Sequence, residues 1–187
     1  MYYLVAFVSL SYLVVMLALA RKQDRFRRSQ EDIFGLVPLM LPVDRERMRE
    51  LFDPAEEWNL RARSTPEAFK AIQSNRRRLA IQYASHMYRN AGLLQRLGGA
   101  GMRRGRRDEV LLGKMLLDAG VAVRMRCLLL LAFLRFQQLV YTASYLNSIR
   151  DIVKDLLPDY DEMLTVAFDL SQALDANLHR DLMQSLS

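Results

Sequence analysis

The first twenty residues, MYYLVAFVSLSYLVVMLALA, contain no Asp, Glu, Lys, Arg or His. As a helix rising about 1.5 Å per residue, such a run reaches roughly 30 Å, the thickness of a bilayer's hydrocarbon core. A helix apolar on every side must be buried on every side, so residues 1–20 are read as a transmembrane anchor. Tyr2 and Tyr3 stand where an interfacial aromatic belt belongs. Directly after the run, RKQDRFRR sets Arg21, Lys22, Arg25, Arg27 and Arg28 against Asp24 alone. These two tyrosines and five cations are the expected membrane-interface residues. By the positive-inside rule the N-terminus lies outside and the chain from Arg21 onward is cytoplasmic, a single-pass arrangement in contact with membrane lipids. Ala18-Leu19-Ala20 fits the small-x-small pattern of a signal-peptide cleavage site, but here the basic cluster follows the apolar run instead of preceding it. An uncleaved anchor is expected.

Charge falls unevenly along the 187 residues. Residues 21–107 hold 20 basic and 10 acidic side chains, whereas residues 141–187 hold 3 and 8, within a formal net charge of +6. A basic front and an acidic tail point to two different partners, or to a neutralising contact between copies or subunits.

The remainder reads as all-α. Eight Gly and five Pro are too few for the frequent turns of an all-β chain, and no stretch alternates with period two. Residues 21–63 form a basic juxtamembrane segment. It includes an apolar strap, Ile33 to Val43, that Gly35, Pro38 and Pro42 prevent from being a regular helix. Such a strap rests in the headgroup region, docks on a partner, or crosses the protein's own core. Asp44 caps a short helix to Phe52, and Asp53-Pro54 starts a second through Trp58 with Glu56 at its third position.

Residues 64–187 are expected to be a helical bundle, giving about three long and one or two short helices in all. Ser64-Thr65-Pro66-Glu67 opens a helix that Gly98-Gly99 should close after Leu97, with a stripe of Phe69, Ile72, Leu79, Tyr83, Met87, Leu94 and Leu97. Asp108-Glu109 opens the next, with a break expected at Asp118-Ala119-Gly120. From Val121 the stripe is Met125, Leu129, Ala132, Phe136, Leu139, Ala143, Leu146 and Val153. After Pro158 a last helix should start at Asp159, with Met163, Val166, Ala167, Leu170, Leu174, Leu178 and Leu182 buried. Cys127–Leu134 is apolar all round. Extended to Val121–Tyr141 it has the length of a second span, but Arg124, Arg126 and Arg135 would each cost about 2.5–3.5 kcal/mol near a helix centre. A central bundle helix is the better reading.

Chemistry is sparse. With one cysteine and two histidines there is no disulfide framework, no cysteine-rich metal site, and neither an H-E-x-x-H zinc motif nor an E-x-x-H di-iron pattern. No metal or other cofactor is expected, and no enzymatic activity. Cys127 should be an inert buried thiol, and His86 a bundle-edge histidine. The most distinctive stretch is Gly98–Arg107, GGAGMRRGRR, read as a flexible loop whose glycines allow close approach. Its Arg103, Arg104, Arg106 and Arg107 offer guanidinium forks to an anion. It lacks the Gly-Lys-Ser/Thr of a phosphate-binding P-loop. No aromatics interleave with the arginines, which disfavours nucleic acid against lipid. The expected function is a non-catalytic accessory or scaffold subunit of a larger membrane complex, held by protein partners. The alternative is a membrane-tethered binder of an anionic ligand, lipid headgroup or nucleic acid, through Gly98–Arg107.

Overall fold

The computed structural model describes residues 39–104, 106–136, 144–174 and 183, the side chains of 104, 136 and 144–148 excepted. The expected anchor, Tyr2, Tyr3 and the juxtamembrane cations Arg21, Lys22, Arg25, Arg27 and Arg28 lie outside these residues, as do His179 and the far ends of two stripes. All regular structure among the described residues is helical. Five helices follow in order: α1 (Arg45–Glu50), α2 (Pro54–Arg63), α3 (Pro66–Arg104), α4 (Arg107–Phe136) and α5 (Ser144–Leu174). Three are long and pack as a bundle, with α4 lying along both α3 and α5. No helix among the described residues is long and apolar enough to cross a membrane, the α4 part of Val121–Tyr141 included.

The helix starts obey local chemistry. Asp44 accepts from the Arg47 N–H, Asp53 from the Ala55 N–H ahead of Pro54, and Thr65 from the Ala68 N–H ahead of Pro66. The second short helix continues past Trp58 to Arg63.

Each long helix buries one row spaced alternately by four and three residues, the 3.5-residue period of left-handed helix packing. In α3 the row is Ala80, Ala84, Met87, Ala91, Leu94, Gly98 and Gly101. In α4 it is Glu109, Gly113, Leu116, Gly120, Val123, Cys127, Leu130 and Leu134. In α5 it is Ile149, Val153, Leu156, Tyr160, Met163, Ala167 and Leu170. The α5 row agrees with the expected stripe from Met163 to Leu170. In α3, Met87 and Leu94 of the expected stripe fall on the observed row and Leu97 is buried beside it, whereas Phe69, Ile72, Leu79 and Tyr83 are only half-buried. The N-terminal part of the α3 row is made of alanines, one position away from the half-buried Leu79 and Tyr83, and nothing in residues 66–79 is fully buried.

In α4 the expected stripe points outward. Leu129 is 44% exposed and Ala132 is exposed, while Cys127 and Leu130 face the core. Leu130→Ala should therefore destabilise the protein by about 2–5 kcal/mol through a core cavity. Leu129→Ala should change stability by roughly 0.5 kcal/mol or less. Chemical denaturation midpoints of the two variants check this, and equal losses would contradict the observed burial.

Three expected helix boundaries are also corrected. α3 runs through Gly98-Gly99 to Arg104, because Gly98 packs directly on α4 and that contact outweighs the roughly 1 kcal/mol helix cost of a glycine. α4 passes Gly120 without a break, since Gly120 is buried beneath the Gln95 side chain. α5 passes Pro158, which lies on the exposed face. There the carbonyl of Lys154, left without a helical donor, is open to water while Leu156 and Tyr160 hold the opposite side in the core.

Candidate interaction surface

The corner between α3 and α4 is built on two glycines. A Cβ on Gly98 would lie 2.7 Å from the Gly113 carbonyl oxygen, and one on Gly113 would lie 2.5 Å from that of Gly98. The two backbones thus touch directly, and Leu170 of α5 closes on Gly101 from the third side. The glycine-rich stretch is helical as far as Arg104 and not a loop, and its Gly98 and Gly101 serve helix contact.

That correction leaves the arginines at the turn. Arg103 is exposed in the last turn of α3, and Arg104 ends that helix. Arg106 and Arg107, both exposed, lead into α4. Arg106 stands 3.7 Å from Glu109, whose carboxylate is buried in the first turn of α4. The helix therefore supplies its own anion at its positive end.

Lower on the same pair of helices, Arg124 donates to Gln95 Oε1 at 2.9 Å and to the Tyr88 hydroxyl at 2.7 Å. Its guanidinium also lies 4.5 Å from the Tyr88 ring centre. Arg126 pairs with Asp159. Two of the three arginines that argued against a second span are thus bundle cross-links.

The strap crosses the chain's own core. Asn90, fully buried on α3, accepts from the Leu41 N–H at 2.9 Å and donates to the Leu41 carbonyl at 2.7 Å and to the Tyr160 hydroxyl at 2.9 Å. His86 Nδ1 lies 3.0 Å from the Pro42 carbonyl, and Met40 is buried in the core. Of the three placements open to this apolar segment, its described part, residues 39–43, takes the one on the bundle.

Two arginines fix the short helices that come after the strap. Arg76 donates to the Glu50 and Leu51 carbonyls at the end of α1, and Arg150 donates to the Phe52 carbonyl and to Glu57. Arg45 pairs with Asp161, which joins the basic front to the acidic tail within one chain. Sequence reasoning missed Asn90, the residue with the most consequential polar contacts. Its one signal was an amide set in the middle of a row of apolar positions.

Burial pushes the Cys127 thiol up from 9.0 to about 12, against the nearby Arg124 charge. Burial likewise pushes the Tyr160 hydroxyl up from 10.0 to about 12, against the hydrogen bond from Asn90. Unfolded, these groups ionise near pH 9 and 10; folded, they hold their protons. Stability is therefore full below pH 9 and declines as pH rises from 9 towards 12. Between pH 8 and pH 10.5 the loss should be about 3 kcal/mol, seen as a lower urea midpoint. A flat profile over that interval would contradict it.

Among the described residues no three His, Cys, Asp or Glu side chains gather as a metal site requires. A groove of about 800 Å³ runs between α1, the start of α2 and α5, over Phe52, Val153 and Leu157, with Arg49, Glu50, Asp151 and Lys154 at its edges. Its charges are mixed in sign. No known protein family, curated protein or solved structure matches the chain.

Proposed function

We propose that the chain is a membrane-anchored, non-catalytic accessory or scaffold subunit of a larger membrane complex, presenting its helical bundle to the cytoplasm. The observation that carries this reading is the clasped strap. The backbone of Leu41 is hydrogen-bonded on both sides to Asn90, inside the core. Residues 39–43 are therefore part of the bundle's own core, and the apolar run 1–20 with its basic flank supports an anchor ahead of them. Solubilisation in mild detergent followed by native mass spectrometry tests it. A stoichiometric protein partner is the expected result, and a chain that always runs alone would overturn it. A reporter fused after Ser187 should be active only as a cytoplasmic fusion.

The second reading, a tethered binder of an anionic ligand, is favoured by the exposure of Arg103, Arg106 and Arg107 at one corner of the bundle. Binding abolished by salt and by joint replacement of Arg103, Arg104, Arg106 and Arg107 with Gln distinguishes it from the first.

A further inference from the structure

On the side that neither α3 nor α5 covers, α4 carries a row of exposed apolar side chains among exposed Lys114, Asp118 and Arg135. Leu111 is 59% exposed, Val121 52%, and Met115 and Leu129 each 44%. Leu111, Met115 and Leu129 lie on one line along the helix, in steps of four and three through positions 118, 122 and 125. That line spans 18 residues, about 27 Å. Its only charged member is Asp118. At its N-terminal end the line runs into exposed Met102 and the exposed cations Arg103, Arg106, Arg107 and Lys114, which outnumber the exposed Asp108 and the Glu109 that Arg106 meets. An uncovered apolar row on an interior-type helix and a basic cluster at its head are two independent features that meet on one surface.

One occupant satisfies both. The exposed apolar area is on the order of a few hundred Å², typical of a functional patch on a monomer. It falls short of the roughly 800 Å² that each partner gives to a stable dimer. A second copy laid along α4 would also set Arg107 against Arg107 in parallel, or against Arg135 when antiparallel, both like-charged. An anionic bilayer surface instead offers phosphates to the arginines and acyl chains to the leucines, as it does for any basic amphipathic helix lying in the interface.

We propose that the outer face of α4, with the arginine corner at its head, lies on an anionic bilayer surface. The proposal rests on the membrane-anchored reading and names the anionic ligand of the corner as lipid.

The test uses the full chain in phosphatidylcholine vesicles with or without phosphatidylglycerol. An environment-sensitive fluorophore is placed at Leu111→Cys, Leu129→Cys or, as control, Lys154→Cys, exposed on α5; Cys127 stays buried and unlabelled. Brominated acyl chains should quench the probes at 111 and 129 in phosphatidylglycerol vesicles and spare the control. High salt should weaken the quenching. Joint replacement of Arg103, Arg106, Arg107 and Lys114 with Gln should lower the ratio of docked to undocked α4 on the order of 1,000-fold. Unquenched probes on a chain that resists carbonate extraction overturn the proposal and leave the anchor standing. A chain that carbonate strips from the vesicles overturns the anchor reading, and the proposal falls with it. Disulfide pairing of chains carrying Leu129→Cys, in place of quenching, assigns the face to a second copy and also overturns the proposal.

Discussion

Replacing Gly113 with alanine is expected to lower the melting temperature by about 2–12 °C, a loss on the order of 1–3 kcal/mol. The added methyl would sit 2.5 Å from the Gly98 carbonyl oxygen and 3.0 Å from the Met102 backbone nitrogen. Both are backbone atoms of a helix, so no rotamer change makes room and the two helices must separate. Separation loosens Leu94, Leu97 and Leu116, which are buried along the same seam. Gly99 supplies the control. A Cβ there meets nothing within 4 Å, so Gly99→Ala should be neutral or stabilise by up to about 1 kcal/mol through helix propensity. Thermal melts followed by circular dichroism decide the matter. Equal behaviour of the two variants would mean that α3 and α4 do not touch at Gly98 and Gly113.

Asn90→Asp is expected to be the most damaging isosteric change, costing about 2–4 kcal/mol at pH 7. A carboxylate keeps the bond from the Leu41 N–H and can accept from Tyr160, but it cannot donate to the Leu41 carbonyl 2.7 Å away. It also places a charge at a site with no exposed surface. Burial would raise the pKa of the new acid, so the lost stability should return in part as pH falls and the proton restores a donor. Limited proteolysis in residues 39–43 should speed up alongside the lower denaturation midpoint. An unchanged midpoint at pH 7 would show that the strap is not held through Asn90.

The helical class was legible because its signals are local. Asp44, Asp53-Pro54 and Thr65-Pro66 start helices by contacts within three residues, and the sequence displays all of them. The α5 row was legible as well, since large side chains there face the core. The first half of the α3 row was misread because weight was given to size, while Met87, Leu94 and Leu97 were placed correctly. In that half the buried residues are alanines, and at the tightest helix contact they are glycines, with the large side chains to either side. The same glycines suggested a loop, as glycine favours loops and close backbone contact alike, and only the partner helix distinguishes the two. For α4 the outward stripe of Met125, Leu129 and Ala132 is as regular as the inward one. Periodicity alone does not choose between them. The role of Asn90 depends on Leu41 and Tyr160, 49 and 70 residues away, and no local pattern reports such distances.

The clasp on Leu41 also sets an order of events during synthesis. Leu41 is made first, and Asn90 follows 49 residues later; Tyr160, which completes the contact, comes 70 residues after that. At roughly 5–20 residues per second, translation leaves the strap without its full seat for on the order of 10 s. The α3–α4 hairpin, whose contacts span short stretches of chain, has time to form in that interval. Residues 39–43 are thus the first part of the described bundle to leave the ribosome and among the last to find their place.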